Sequence, residues 1–216
     1  MNVLGIDLSL NGTGLAMLSI DEAPPTLPRL PAYPSKAQEL AGILYQGVCI
    51  SPVPAGVLQR WEAITAMVLA WAQHAHTVVI EGYSFGSNLQ FATAIRELGG
   101  IVRYQLRKIG HTPVEVAPTS LKKFATGKGF AEKGQVIAAV AHRFGLELTD
   151  DNMADAFVLA KIGEALVMSD LDNARLPYHQ REVIGAIKYP TEKVRKVRAP
   201  KLKFQKPVQA RLGGLR

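Results

Sequence analysis

Two apolar runs, Val3-Leu4-Gly5-Ile6 and Leu15-Ala16-Met17-Leu18, are separated by Asp7 and by Ser9-Leu10-Asn11-Gly12-Thr13-Gly14. Paired runs around a Gly/Asn turn predict a β-hairpin, with strands over residues 3–7 and 14–20. Asp7 closes the first run. A buried unpaired carboxylate is costly, so an acid in that position implies a cation or a proton-transfer task.

The rest of the chain supplies partners for it. Residues 57–74 carry apolar side chains at helical spacing (Leu58, Trp61, Ile64, Met67, Val68, Trp71). The β-branched run Thr77-Val78-Val79-Ile80 predicts a buried strand that ends, like the first, in an acid and a glycine, Glu81-Gly82. A helix is expected from Ser87, with Gln90 in capping-box position and Leu89, Ala92, Ile95, Leu98, Val102 and Leu106 as its stripe. A short strand at Pro113–Val116 follows. Helices are expected at Pro118–Phe124, at Glu132–Arg143 and, carrying Asp151, Asn152 and Asp155, at Asp151–Met168. The order β-β-insert-α-β-α-β-α-α-α describes an α/β domain with a mixed sheet flanked by helices.

Asp7 and Glu81 end strands, where α/β sheets hold ligands. Asp151 and Asp155, or Asn152 and Asp155, share one face of their helix. Helix capping accounts for Asp150 but not for Asp155, which lies beyond the first turn. Oxygen ligands from separate elements suit Mg²⁺ or Mn²⁺. Two such ions ~3.5–4 Å apart activate a water and stabilise the leaving oxygen in phosphodiester hydrolysis.

Composition sets the surroundings. The chain has 216 residues, 48% hydrophobic and 20% charged, enough for one sizeable core. No apolar run is long enough to span a membrane, and a basic-then-apolar leader is missing from the N-terminus. Cys49 is the only cysteine, which excludes an internal disulfide and leads us to expect a reducing, cytoplasmic setting. The net charge of +7 is concentrated at the C-terminus. Residues 188–216 hold ten basic side chains, among them Lys188, Lys193, Arg195, Lys196, Arg198, Lys201 and Lys203, against one acid, Glu192. Residues 1–187 carry 15 basic and 17 acidic groups. The expected organisation is a domain over 1–187 and a flexible basic tail over 188–216 that binds nucleic-acid phosphates. Seven of the 13 prolines fall between Pro24 and Pro54, so residues 21–56 are expected to be an elaborated loop with one strand near Gly47–Ser51.

The ordered set Gly5-Ile6-Asp7, Asn11-Gly12-Thr13-Gly14, Ile80-Glu81, Ala117-Pro118-Thr119, Gly127-Lys128-Gly129, Ala131-Glu132-Lys133 and Asp151-Asn152-Met153-Ala154-Asp155-Ala156 resembles the RuvC-type Holliday junction resolvases of the RNase H-like superfamily. The resemblance spans most of residues 1–168. It implies an RNase H-like fold and a Mg²⁺-dependent homodimer, with Mn²⁺ as an alternative ion. The activity implied is symmetric cutting of four-way DNA junctions, leaving 5′-phosphate and 3′-hydroxyl ends.

On matching positions, Asp7, Glu81 and Asp155 are the metal-binding acids the resemblance implies. The fourth ligand is open between Asn152, where many members place Asp or His, and Asp151. Lys122 and Lys133 match lysines that approach the scissile phosphates, and Lys128 is expected to be a further DNA contact. The family's base-wedging aromatic falls at Ser84, so Tyr83 or Phe85 takes that part, or Phe85 staples the next helix. The Ser87–Lys108 helix, apolar on more than one side through Phe91, Ile101 and Tyr104, is the expected dimer element. The long 21–56 segment and the basic tail depart from the bacterial pattern and suggest a viral or phage-type member. Two other classes compete: an actin- or sugar-kinase-like ATPase, for which a second phosphate-binding hairpin is missing, and a DNA-binding protein without catalysis, which leaves Glu81 and Asp155 unexplained.

Overall fold

The computed structural model describes residues 1–20, 25–27, 36–40, 43–50, 56–83 and 89–190. Within them the opening hairpin forms as expected. Strand β1 (Asn2–Asp7) pairs antiparallel with β2 (Thr13–Ile20), Asp7 standing opposite Gly14. Strand β5 (Thr77–Glu81) lies parallel to β1 on its other side, and β6 (Val114–Val116) lies parallel to β5.

The 21–56 segment differs from the expected loop with one strand. It contributes two strands, β3 (Lys36–Leu40) and β4 (Ile43–Ile50), and β4 pairs with β2 along its whole length. The sheet therefore has six strands in the order β3-β4-β2-β1-β5-β6. Both strands are free of proline. The prolines of the segment precede β3 or follow β4, which reconciles their number with ladder hydrogen bonding.

Strand alternation assigns the faces. Leu4, Ile6, Val78 and Ile80 pack with Leu15 and Met17 against α1 (Val57–Ala72) and α2 (Leu89–Lys108). The opposite face receives α5 (Asp151–Val167), buried along nearly all its length. Around α5 lie α3 (Pro118–Thr126), α4 (Lys133–Phe144) and a helix absent from our expectations, α7 (Tyr178–Lys188). A single turn, α6 (Asp170–Asn173), leads into α7. Gln180 of α7 donates to the Phe124 carbonyl at 3.1 Å, and Glu182 pairs with Lys123 at 2.6 Å, so α7 braces the end of α3. Lys188, counted with the tail by charge, is the last residue of α7 and pairs with Asp170 at 3.2 Å. The other tail residues, Lys193 to Arg216, lie outside the described residues.

Helix α5 approaches the hairpin backbone to backbone at two glycines. A Cβ on Gly5 would stand 2.1 Å from the Ala156 carbonyl oxygen, and one on Gly14 would stand 2.1 Å from that of Asn152. These two glycines serve backbone-to-backbone contact. The contact sets the height of the first turn of α5 above β1, and with it the position of Asp155. Among the described residues no helix is long and apolar enough to cross a membrane.

Candidate active site

Asp7 lies two residues past Gly5, and Glu81 two past Val79, so both carboxylates point to the α5 side of the sheet. Asp155 precedes Ala156, the residue whose backbone lies on Gly5. Pairing of β1 with β5 brings the two strand ends side by side. Three acids separated widely in sequence thus meet over one spot.

Their electrostatics follow from the convergence. Asp7 is 6% exposed. Burial, then the charges of Glu81 and Asp155, a hydrogen bond with Glu81 and the charge of Asp151 hold its pKa well above the ordinary carboxylate range. Burial also raises Glu81, against the hydrogen bond from Asp7 and the opposing charges of Lys122 and Lys133. Asp155 is pushed up to about 7 by burial, Glu81 and Asp151, again opposed by the two lysines. Neighbouring acids disfavour ionisation of Asp7 and Asp155, the hydrogen bond from Asp7 favours that of Glu81, and Lys122 and Lys133 stand at the rim of the cluster.

Asp151 forms an ion pair with Lys133, which raises the lysine's pKa through that hydrogen bond. Asp150 caps α5, its carboxylate accepting from the Met153 N–H at 3.0 Å, as capping alone would predict. Asn152 follows them in the first turn of α5, its backbone over Gly14. Among the described residues no three His, Cys, Asp or Glu side chains are gathered as a ready ion cage. Asp7 and Glu81 are instead hydrogen-bonded to each other, and Asp151 holds Lys133. The donor set fits a hard divalent cation: it is all oxygen, burial and, for Asp7 and Asp155, neighbouring acids oppose its ionisation, and a cation would offset both.

Arg103 is a residue that sequence reasoning passed over. From α2 it donates to the Glu81 carbonyl at 3.2 Å, to the Tyr83 hydroxyl at 3.1 Å and to Glu115 of β6 at 2.7 Å. Its guanidinium lies 4.5 Å from the centre of the Tyr83 ring. Tyr83 in turn donates to the Arg96 carbonyl at 3.1 Å, so this aromatic is fastened to α2. The only sequence signal was Glu115, an acid within a short strand. Arg103→Ala is expected to lower the melting temperature by about 3–8 °C, from the loss of charge-assisted bonds. By loosening the end of β5 it should, if the chain cuts DNA as the resemblance implies, reduce turnover more than DNA affinity. Arg103→Lys should not rescue turnover, because an ammonium lacks the fork that reaches Glu81, Tyr83 and Glu115 together. Thermal melts and parallel binding and cleavage assays check this; unchanged turnover would limit Arg103 to the fold.

Lys128 is exposed in the turn after α3, while Phe85 lies outside the described residues. On α2, Leu98, Val102 and Leu106 face the core, whereas Ile101 and Tyr104 are exposed, Tyr104 by 64%.

Comparison with known proteins agrees with this architecture. The family model described as "Crossover junction endodeoxyribonuclease RuvC" matches residues 37–162, which include Glu81 and Asp155 but not Asp7. The crossover junction endodeoxyribonuclease RuvC of Mycobacterium tuberculosis is 29% identical over 169 residues, covering 74% of this chain and 79% of that protein. The protein of the same name from Chloroflexus aggregans is 28% identical over 111 residues, covering 50% of this chain and 66% of its own. Thermus thermophilus RuvC shares the fold at a TM-score of 0.55 and 22% identity, covering 74% of this chain and 91% of that one. The same protein solved in complex with a Holliday junction substrate gives 0.57 and 23%, covering 74% and 90%. The family match takes in more than half of the sequence and carries two of the three converging acids; the chain belongs to the RuvC family.

Proposed function

We propose that this protein is a metal-dependent endonuclease that resolves four-way DNA junctions as a homodimer. The observation that carries the reading is the Asp7–Glu81–Asp155 cluster, with Lys122 and Lys133 at its rim, in a chain of the RuvC family. Asp7, Glu81 and Asp155, with Asp151 or Asn152 as the fourth, would hold Mg²⁺, Mn²⁺ being the alternative. Bound divalent ions would supply activation of water and stabilisation of the leaving oxygen.

The chain's own residues do the remainder. Lys122 and Lys133 neutralise the oxygens of the scissile phosphate as point charges, Lys133 exchanging its contact with Asp151 for the phosphate. Water adds to phosphorus and the bond to the 3′ oxygen breaks, leaving a 5′-phosphate and a 3′-hydroxyl. A second copy across the two-fold axis of the junction cuts the like strand, with Ile101 and Tyr104 of α2 offering apolar area for the contact. We assign residues 191–216 as a basic tail that adds phosphate contacts around the junction.

The test is a synthetic four-way junction with Mg²⁺ or Mn²⁺, comparing the full chain with one ending at Pro190. The full chain should give symmetric paired nicks that DNA ligase reseals, since resealing needs a 5′-phosphate beside a 3′-hydroxyl. No cleavage with either ion would overturn the reading. Truncation should weaken binding and flatten its salt dependence; identical salt slopes would remove the tail as a DNA contact.

A further inference from the structure

Phe130 is 94% exposed, the highest value for a large apolar side chain among the described residues. It sits at the tip of the turn Lys128–Ala131, closed by the Ala131 N–H donating to the Lys128 carbonyl at 3.3 Å. The backbone on both sides of the ring is hydrogen-bonded. Helix α3 ends at Gly127 in the left-handed region (φ 84°), whose N–H donates to the Lys123 carbonyl at 2.8 Å. The Lys128 N–H donates to the Thr126 hydroxyl at 3.1 Å. Ala131 is buried, and Glu132 opens α4 in a capping box with Gln135. A turn tip favours Gly, Asn, Asp or Ser. Here a pinned turn presents an aromatic to solvent.

The surroundings select the partner. The turn joins α3, which carries Lys122, to α4, which begins at Lys133; both lysines act electrostatically on Glu81 and Asp155. Lys128 is exposed within the turn. A lone aromatic among three lysines suits a nucleic-acid strand, whose phosphates take the lysines and whose bases offer a face for stacking. In continuous duplex both faces of every base are already covered; at a branch point one is free.

We propose that Phe130 stacks on an unpaired base at the branch point of the DNA and so positions the strand whose phosphate reaches Lys122 and Lys133. This rests on the proposed activity and adds a substrate-binding residue to it. No bond is made or broken by the ring.

The experiment uses the full chain with Phe130→Ser and Phe130→Trp. The probe is a four-way junction carrying 2-aminopurine at the branch point, with continuous duplex of equal length as the control. Phe130→Ser should keep the wild-type melting temperature and duplex affinity, weaken junction binding on the order of 5- to 100-fold, and lose the change in 2-aminopurine fluorescence. Phe130→Trp should restore both signals. Wild-type junction affinity and fluorescence in Phe130→Ser would overturn the inference, as would equal weakening on junction and duplex. A change in sedimentation of the DNA-free protein on Phe130→Ser would also overturn it, by assigning the ring to a contact between copies. If wild type cuts the junction and Phe130→Ser behaves identically, only this inference falls. If wild type neither binds nor cuts it, the proposed activity falls too.

Discussion

Asp7→Asn is expected to abolish junction cleavage in Mg²⁺, on the order of 10³-fold or more, while leaving junction binding intact and making the metal-free protein more stable. Asparagine keeps the shape of the side chain and removes its charge. Binding should survive because the proposed phosphate contacts, Lys122, Lys133 and the basic residues of 191–216, are unchanged. Stability rises because Asp7 is the most deeply buried acid of the cluster, and its ionisation is opposed by burial, Glu81 and Asp155 together.

The sign follows from proton counting. An acid whose pKa is raised by folding keeps its proton in the native state where the unfolded chain has lost it. Stability therefore falls as pH rises. For Asp155 the loss accumulates between its ordinary value of 3.8 and about 7, and is complete above that. Metal-free wild type should lose more melting temperature between pH 5 and pH 8 than Asp7→Asn does. Mg²⁺ at pH 8 should restore wild type by mass action and have much less effect on the variant. Thermal melts in chelator and in Mg²⁺, with cleavage assays beside them, read all three effects. Undiminished cleavage by Asp7→Asn would refute the assignment of the cluster. Identical pH and Mg²⁺ responses in the two proteins would refute its electrostatic account.

The three acids were legible in the sequence for a shared reason. Asp7 and Glu81 each interrupt a buried apolar run at a strand end, and Asp155 does so on a helix otherwise buried all round. A charge is conspicuous where the flanking pattern demands burial. The outer strands β3 and β4 were less legible because the surrounding prolines dominate the composition of residues 21–56, although none lies within a strand. Helix α7 was hidden for a similar reason. Its buried residues are only Gln180, Val183 and Ile184, a short stripe leading into a basic run that reads as tail. Arg103 was invisible because its partners Glu81, Tyr83 and Glu115 lie 12 to 22 residues away, and local periodicity says nothing of such contacts. Gly14 was visible, but for the wrong cause: its place beside Asn11-Gly12 suggests a turn, whereas the structure uses it to admit the backbone of α5.

That contact yields the second large effect. Gly5→Ala should destabilise the fold by about 3 kcal/mol, lowering the melting temperature by roughly 6–12 °C, and should disable cleavage in whatever protein remains folded. The new Cβ would stand 2.1 Å from the Ala156 carbonyl oxygen and 2.5 Å from the Ala160 nitrogen. Both are backbone atoms of a regular helix, so no rotamer change relieves the overlap. Helix α5 must lift from β1, and it carries Asp155 with it, beside the residue in contact. The acids then separate even if the core heals around them. Gly100→Ala is the matched control: its Cβ meets nothing within 4 Å, and it lies inside α2, where alanine is the better helix former by about 1 kcal/mol. The Gly100 variant should therefore melt at or above the wild-type temperature and keep its cleavage. Melts of the two variants and of wild type, followed by single-turnover cleavage below the lowest transition, separate fold from site. A Gly5→Ala protein that melts like wild type would show that α5 does not rest on β1 as described. One that melts lower yet cuts at the wild-type rate would show that the height of α5 does not govern the meeting of Asp155 with Asp7.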